Sequence, residues 1–154
     1  ANPPVEEARV RVETASHTAM DWEVVPRGLT LTLLELTDRY GDIPLVVTEN
    51  GAAYDDPAPT DGVVADADRV AYLRSHIQAA HAAIAAGVDL RGYFVWSLLD
   101  NFEWADGLAR RFGLIHVDFG TLARTPKQSF HFYREVIRSR GAAALATAPE
   151  VPTE

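Results

Sequence analysis

Residues 45–51 read Leu-Val-Val-Thr-Glu-Asn-Gly, an apolar, β-branched run that stops at a carboxylate and a turn. Bounded by Pro44 and Gly51, such a run has the pattern of a strand buried on both faces, as in a parallel sheet covered by helices. That pattern limits the fold to an α/β class and puts Glu49 at the carboxyl end of a core strand. Ligands bind at that end of open α/β sheets, and in β/α barrels a polar residue there reads as catalytic. A solvated loop carboxylate fits the same spacing.

A second stretch has the same grammar. Residues 91–104 read Arg-Gly-Tyr-Phe-Val-Trp-Ser-Leu-Leu-Asp-Asn-Phe-Glu-Trp, an apolar strand that opens into a loop with carboxylates and aromatics. Carboxylates accept hydrogen bonds from hydroxyls and indoles stack on the C–H face of a sugar ring, so strand ends that carry both suggest carbohydrate.

Composition narrows the alternatives. A 154-residue chain that is 47% hydrophobic is long enough for a sizeable globular core. A net charge of −8 disfavours a phosphate-rich partner, so no nucleic acid is expected. There is no Cys, hence no disulfide framework and no thiol chemistry. No run of about 20 apolar residues exists for a membrane span, and no membrane partner is expected. Localisation stays open, with the cytoplasm favoured slightly over secretion. The chain begins with Ala1 and its one Met is at position 20, which reads as the C-terminal portion of a longer polypeptide.

Along the chain, residues 1–19 read as an irregular lead-in with a Val-Arg-Val-Glu alternation at 10–13 that could form a short exposed strand. Pro26 suits the first position of a helix whose Leu29, Leu33, Leu34 and Leu36 recur at helical spacing until Gly41. After the strand ending at Glu49, residues 52–64 form a polar loop. Asp66 is expected to cap a helix over about 67–86, with Val70, Leu73, Ile77, Ala80 and Ile84 inward and Gly87 at its exit. His76 and His81 on that helix are five positions apart, so they read as surface histidines and not as a metal pair. Thr125 is expected to cap a last helix with Pro126 first and Phe130, Tyr133, Val136 and Ile137 along one face. Gly141 would end it, leaving 141–154 as a disordered tail.

The motif Thr48-Glu49-Asn50-Gly51, followed by Gly92-Tyr93-Phe94-Val95-Trp96-Ser97-Leu98-Leu99-Asp100-Asn101-Phe102-Glu103-Trp104, resembles the C-terminal part of glycoside hydrolase family 1, the retaining β-glucosidases and their kin. The likeness runs on through Arg111-Phe112-Gly113-Leu114, Val117-Asp118-Phe119 and Arg124-Thr125-Pro126-Lys127-Gln128-Ser129, and back to Met20-Asp21-Trp22-Glu23-Val24. It implies that residues 20–140 are the C-terminal portion of a (β/α)8 barrel, about its sixth helix through its eighth. A complete barrel needs roughly 250 residues, so this portion would be incomplete on its own.

The resemblance also implies roles. Glu49 would be the nucleophile of a double displacement, while the family's acid/base Glu belongs to an Asn-Glu-Pro motif that this sequence lacks. Glu103 would accept hydrogen bonds from the hydroxyls at sugar carbons 4 and 6, which favours unphosphorylated glycosides. Trp96 would be the platform under the ring, Trp104 would offer its indole N–H, Trp22 would shape the leaving-group subsite, and Phe112 would line the site. Asp100 and Asn101 would hold the loop. Leu108 and Phe119 stand where the family commonly has an aromatic and a Tyr, which leaves the leaving-group preference open.

The function expected is hydrolysis of terminal β-glucosyl residues from cellobiose-like or aryl glucosides, without metal or organic cofactor, together with an N-terminal barrel segment. Two other readings remain: a non-catalytic partial barrel that binds sugar or serves assembly, and a transglycosidase of the same family. The isolated chain would be inactive and poorly covered at its sheet edges.

Overall fold

The computed structural model describes residues 16–146, so the alternation at 10–13 and the end of the expected tail lie outside it. Helix α1 (Pro26–Tyr40) opens on its proline and closes where Gly41 takes φ +81°, as the sequence pattern requires. Strand β1 (Leu45–Asn50) follows, then α2 (Ala67–Ala85) and β2 (Leu90–Val95). β1 and β2 pair in parallel, Leu45 with Leu90 and Val47 with Tyr93, and α2 is the crossover between them. The exit from α2 is a Schellman motif. Gly87 at φ +103° donates its N–H to Ile84 O, and Val88 donates to Ala83 O.

The hydrophobic centre lies between the helices and the strands. Leu33, Ala83 and Val88 are buried there, with Leu29, Leu34, Leu45, Val47 and Leu90 packed around them. The opposite face of the sheet is open, with Val46 49% and Phe94 60% exposed. β1 was expected to be buried on both faces, and only its helix-side face is. In a closed barrel the inner face is filled by side chains from strands around the whole ring, and two strands cannot do that.

The face that α2 buries is also offset from the expected one. Arg69, Leu73, His76, Ala79, Ala80 and Ala83 point inward, while Ile84 is exposed. His76, expected at the surface, is therefore buried, its ring stacked on Tyr72 at 3.9 Å between centroids and Nδ1 2.8 Å from Tyr72 O. Burial pulls the His76 imidazole below its ordinary pKa, against the opposing pull of that carbonyl. His81 is exposed.

Beyond β2 a loop containing a short 3₁₀ turn (Trp104–Asp106) leads to β3 (Ile115–Val117), which pairs antiparallel with β4 (Arg124–Pro126). Thr125 and Pro126, expected to start the last helix, lie in β4 instead, where Pro126 faces Ile115. Helix α3 (Gln128–Arg138) begins two residues later, with Lys127 as its N-cap residue. Its first-turn amide is satisfied from afar. Asp66 makes no cap bond to α2 but accepts from the N–H of Ser129 at 2.8 Å and from its hydroxyl. Gly141, at φ +95°, precedes a fourth helix, α4 (Ala142–Leu145), in a stretch expected to be disordered. Its carbonyls are held by side chains of α2: Arg74 donates to Ala143 O and Gln78 to Ala144 O, both at 2.8 Å.

Candidate active site

At the carboxyl ends of β1 and β2 lies a cavity of about 400 Å³. Trp22, Glu49, Trp96, Glu103, Trp104 and Phe112, drawn from four separate stretches of sequence, all line it. Asn50, Gly51 and Tyr72 complete the wall, and spacing alone had not marked these three as site residues. Tyr72 is on α2, where a helical aromatic reads as core, and only the crossover brings it to the strand ends.

Backbone proximity brings the two strand ends together. The N–H of Trp96 donates to Asn50 O at 3.1 Å, and a Cβ on Gly51 would lie 1.7 Å from Trp96 O. Only glycine allows that approach. Gly113 has the same role one loop later, where a Cβ would be 2.1 Å from Asp100 N. Ser97 N–H donates to Phe112 O at 3.3 Å, which carries Phe112 back to the cavity. There its ring meets that of Trp22 at 6.2 Å and an interplanar angle of 50°. Trp22 is held in turn by Thr18, whose N–H donates to Trp22 O at 2.9 Å. Trp104, with φ +41°, stands at the rim and is 83% exposed.

The two cavity carboxylates differ in exposure. Glu49 is exposed at the end of β1. Glu103 is anchored by its backbone, its N–H donating to Gly107 O, while its side-chain Oε2 is shielded from solvent with no hydrogen-bond partner. Such an oxygen is costly unless something donates to it. Among the described residues, no group of His, Cys, Asp and Glu could hold a metal ion.

Behind the cavity wall is a network of opposite character. Asp100 accepts from Gly113 N–H at 2.9 Å, Arg111 Nη1 at 2.7 Å and Lys127 Nζ at 2.9 Å. Lys127 also donates to Asp56, and Arg69 joins Asp56, Asp66 and the carbonyl of Arg111. The side chains of Arg69, Lys127, Asp56, Asp66 and Asp100 are at most 1% exposed. Burial alone would raise the Asp100 carboxyl, but hydrogen bonds and charge from Lys127 and Arg111 overcome it and hold the group below the ordinary carboxylate range. Burial would likewise lower the Arg69 guanidinium, and Asp56 and Asp66 raise it instead. The expected loop-holding role of Asp100 and Asn101 fits these bonds. Asn101 donates to Ser97 Oγ at 2.9 Å and to Leu99 O at 3.1 Å. The roles of Lys127, Arg69 and Asp66 were missed, because their partners lie up to 63 and 71 residues away.

Consecutive parallel strands joined through a helix, with a polar and aromatic cavity at their carboxyl ends, are the repeating arrangement of a β/α barrel. The sequence signature of Glycosyl hydrolase family 1 matches residues 3–142, and the chain belongs to that family. It is 48% identical over 124 residues to beta-glucosidase A of Thermotoga maritima, an alignment covering 80% of this chain and 28% of that protein. It is 51% identical over 130 residues to the bifunctional beta-D-glucosidase/beta-D-fucosidase of Bifidobacterium breve, covering 82% and 28%. A solved structure of the Thermotoga maritima beta-glucosidase in complex with glucoimidazole superposes with a TM-score of 0.82 at 46% identity, covering 84% of this chain and 30% of that one. The chain thus spans under a third of the length of these relatives and is a partial barrel.

Proposed function

We propose that this chain supplies the nucleophile and much of the sugar-binding wall of a retaining β-glucosidase, and that the rest of the barrel supplies the acid/base carboxyl. The observation that carries the reading is the meeting of Glu49, Glu103 and three tryptophans on one cavity at the strand ends. In the first step a Glu49 carboxylate oxygen bonds to the anomeric carbon as the glycosidic C–O bond breaks. The departing oxygen takes a proton from the second carboxyl, which retaining enzymes hold about 5–5.5 Å from the nucleophile. That same group then removes a proton from water as the water attacks the anomeric carbon, and Glu49 is released.

The aromatic and acidic walls have matching tasks. Trp96 offers the sugar ring a flat apolar surface, and Glu103 accepts its hydroxyl protons with a charge that would repel a phosphate. Trp22 shapes the leaving-group subsite with Phe112 lining the wall beside it, and Trp104 offers its indole N–H to a sugar hydroxyl from the rim. Relatives named for glucoside and fucoside cleavage fit this use of the site.

The remainder of the barrel has a seat beside β2 and α3. Phe94, Leu98, Leu114, Phe130 and Ile137 line an apolar cavity of about 340 Å³ there, where a neighbouring strand and helix would pack. With the acid/base carboxyl outside this chain, the isolated chain is expected to be inactive. The test is covalent trapping with a 2-deoxy-2-fluoro glucoside on this chain assembled with its barrel, read by peptide mass. A label on Glu49 is the expected result, and a label elsewhere or none would overturn the assignment.

A further inference from the structure

β1 does not run evenly to its end. Its pairing with β2 passes from Val47–Tyr93 to Asn50–Val95, so β1 spends one more residue than β2 over the same span. That step, which offsets a shift of opposite sense between Leu45 and Val46, is a bulge-like irregularity at Thr48 and Glu49, and both residues are exposed instead of alternating. Bulges re-aim side chains, and an unsupported bulge is free to slip.

This one is held by Asn50. Its carbonyl accepts from Trp96 N–H at 3.1 Å. Its side-chain Oδ1 accepts from the Tyr93 hydroxyl at 2.6 Å, and its Nδ2 donates to the Tyr72 hydroxyl at 3.4 Å. Tyr93 is fixed in turn, because Tyr133 on α3 donates to its carbonyl at 2.9 Å. Burial pushes the Tyr93 phenol far above its usual pKa, so it stays a donor at any working pH. None of these groups is used by the double displacement itself.

We propose that Tyr93 and Tyr72, acting through the side chain of Asn50, are positioning residues that clamp the β1 bulge and set the direction of Glu49. The proposal rests on Glu49 being the nucleophile. A nucleophile gains rate from being held near its line of attack, and a displacement of about 1 Å can cost on the order of 100-fold. Tyr93 itself does not line the cavity, although Asn50 and Tyr72 do, so loss of its hydroxyl is expected to act on the chemical step and leave binding largely unchanged.

The test uses this chain assembled with its barrel and 2,4-dinitrophenyl 2-deoxy-2-fluoro-β-glucoside. In this reaction the Glu49 oxygen bonds to the anomeric carbon and dinitrophenolate departs with the bonding pair. The leaving group needs no proton, so the trapping rate reads the nucleophile alone. Tyr93→Phe removes one hydroxyl and is expected to slow trapping about tenfold or more, with the half-saturating concentration changed less than about twofold. Tyr72→Phe, across the longer bond, is expected to slow it less, by about threefold. In an Asn50→Leu background Tyr93→Phe should add no further loss, because both act through one side chain.

Trapping at the unmodified rate in both Tyr variants overturns the clamp, as does full additivity with Asn50→Leu. Should Tyr93→Phe fail to fold, Tyr72→Phe and Asn50→Leu decide the matter by the same rate. A label on Glu49 at unchanged rates would sink the clamp and leave the proposed function standing. Absence of any label on Glu49 in the unmodified protein would remove both.

Discussion

The cavity and the network behind it are built from the same residue types and treat them in opposite ways. In the network, Asp56, Asp66 and Asp100 are matched with Arg69, Arg111 and Lys127, and nearly every charge is out of solvent. In the cavity wall Glu49 is exposed and Glu103 keeps an oxygen without a donor. Full pairing makes a geometry rigid, and withheld pairing keeps a group available to a ligand. The network ties the loop after β1, the start of α2, the loop after β2 and the start of α3 to one another. A set of satisfied charges thereby holds still a set of unsatisfied ones.

The sharpest way to break this contrast is to exchange the effects of the two regions. Glu49→Ala in the assembled barrel should lower glucoside turnover on the order of 10⁴-fold with the unfolding midpoint unchanged. A variant that retained activity would place the nucleophile elsewhere. Lys127→Met should do the reverse. It leaves Asp56 and Asp100 buried with too little positive charge, at a cost of about 3–5 kcal/mol in stability by denaturant unfolding, while the molecules that remain folded keep their chemistry. An equal loss of turnover in folded Lys127→Met would make the network part of the reaction.

Glu103→Gln preserves shape and removes charge. It should weaken kcat/KM about tenfold to 100-fold, since hydrogen bonds to a charged group contribute about 1.5–3 kcal/mol. The loss should shrink on a substrate that lacks the hydroxyls at carbons 4 and 6, and an equal loss there would refute the contact.

The smallest effect concerns His76, a buried group outside both regions. Its folded pKa is lowered, so the unfolded chain takes up a proton first as pH falls below about 6.5. Stability should be fully present above that pH and decline through it until the folded pKa is reached, by at most about 1.4 kcal/mol per pH unit. Unfolding midpoints at pH 7.5 and 5.5 should differ less in His76→Gln, and an unchanged difference would show that the proton goes elsewhere.

Much of the site was legible because strand ends announce themselves. Apolar runs that stop at Glu49 and at Trp96 marked the carboxyl edge of a parallel sheet, and parallel strands joined by a helix put both stops at one end. Pro26 and Gly41 marked the limits of α1 for equally local reasons. The start of α3 was not legible. Thr-Pro is a good helix opening by itself, but Thr125 and Pro126 pair with Ile115 and His116, and a ladder to residues about ten positions back overrides a local preference. Asp66 was misread for a related reason. A residue well suited to cap its own helix instead meets Ser129, and only the packing of α2 against α3 brings the two together.

The sequence by itself determined where the core strands stop and which helices bury apolar stripes, because these follow from residue type and short-range period, and its resemblance to a family named the candidate site residues. The tertiary structure alone decided which charges neutralise one another, that Tyr72 joins the cavity, that His76 is buried and that Asn50 bridges two tyrosines. Those outcomes depend on which distant segments share a volume, and chain order does not specify that until the strands have paired and the helices have packed across them.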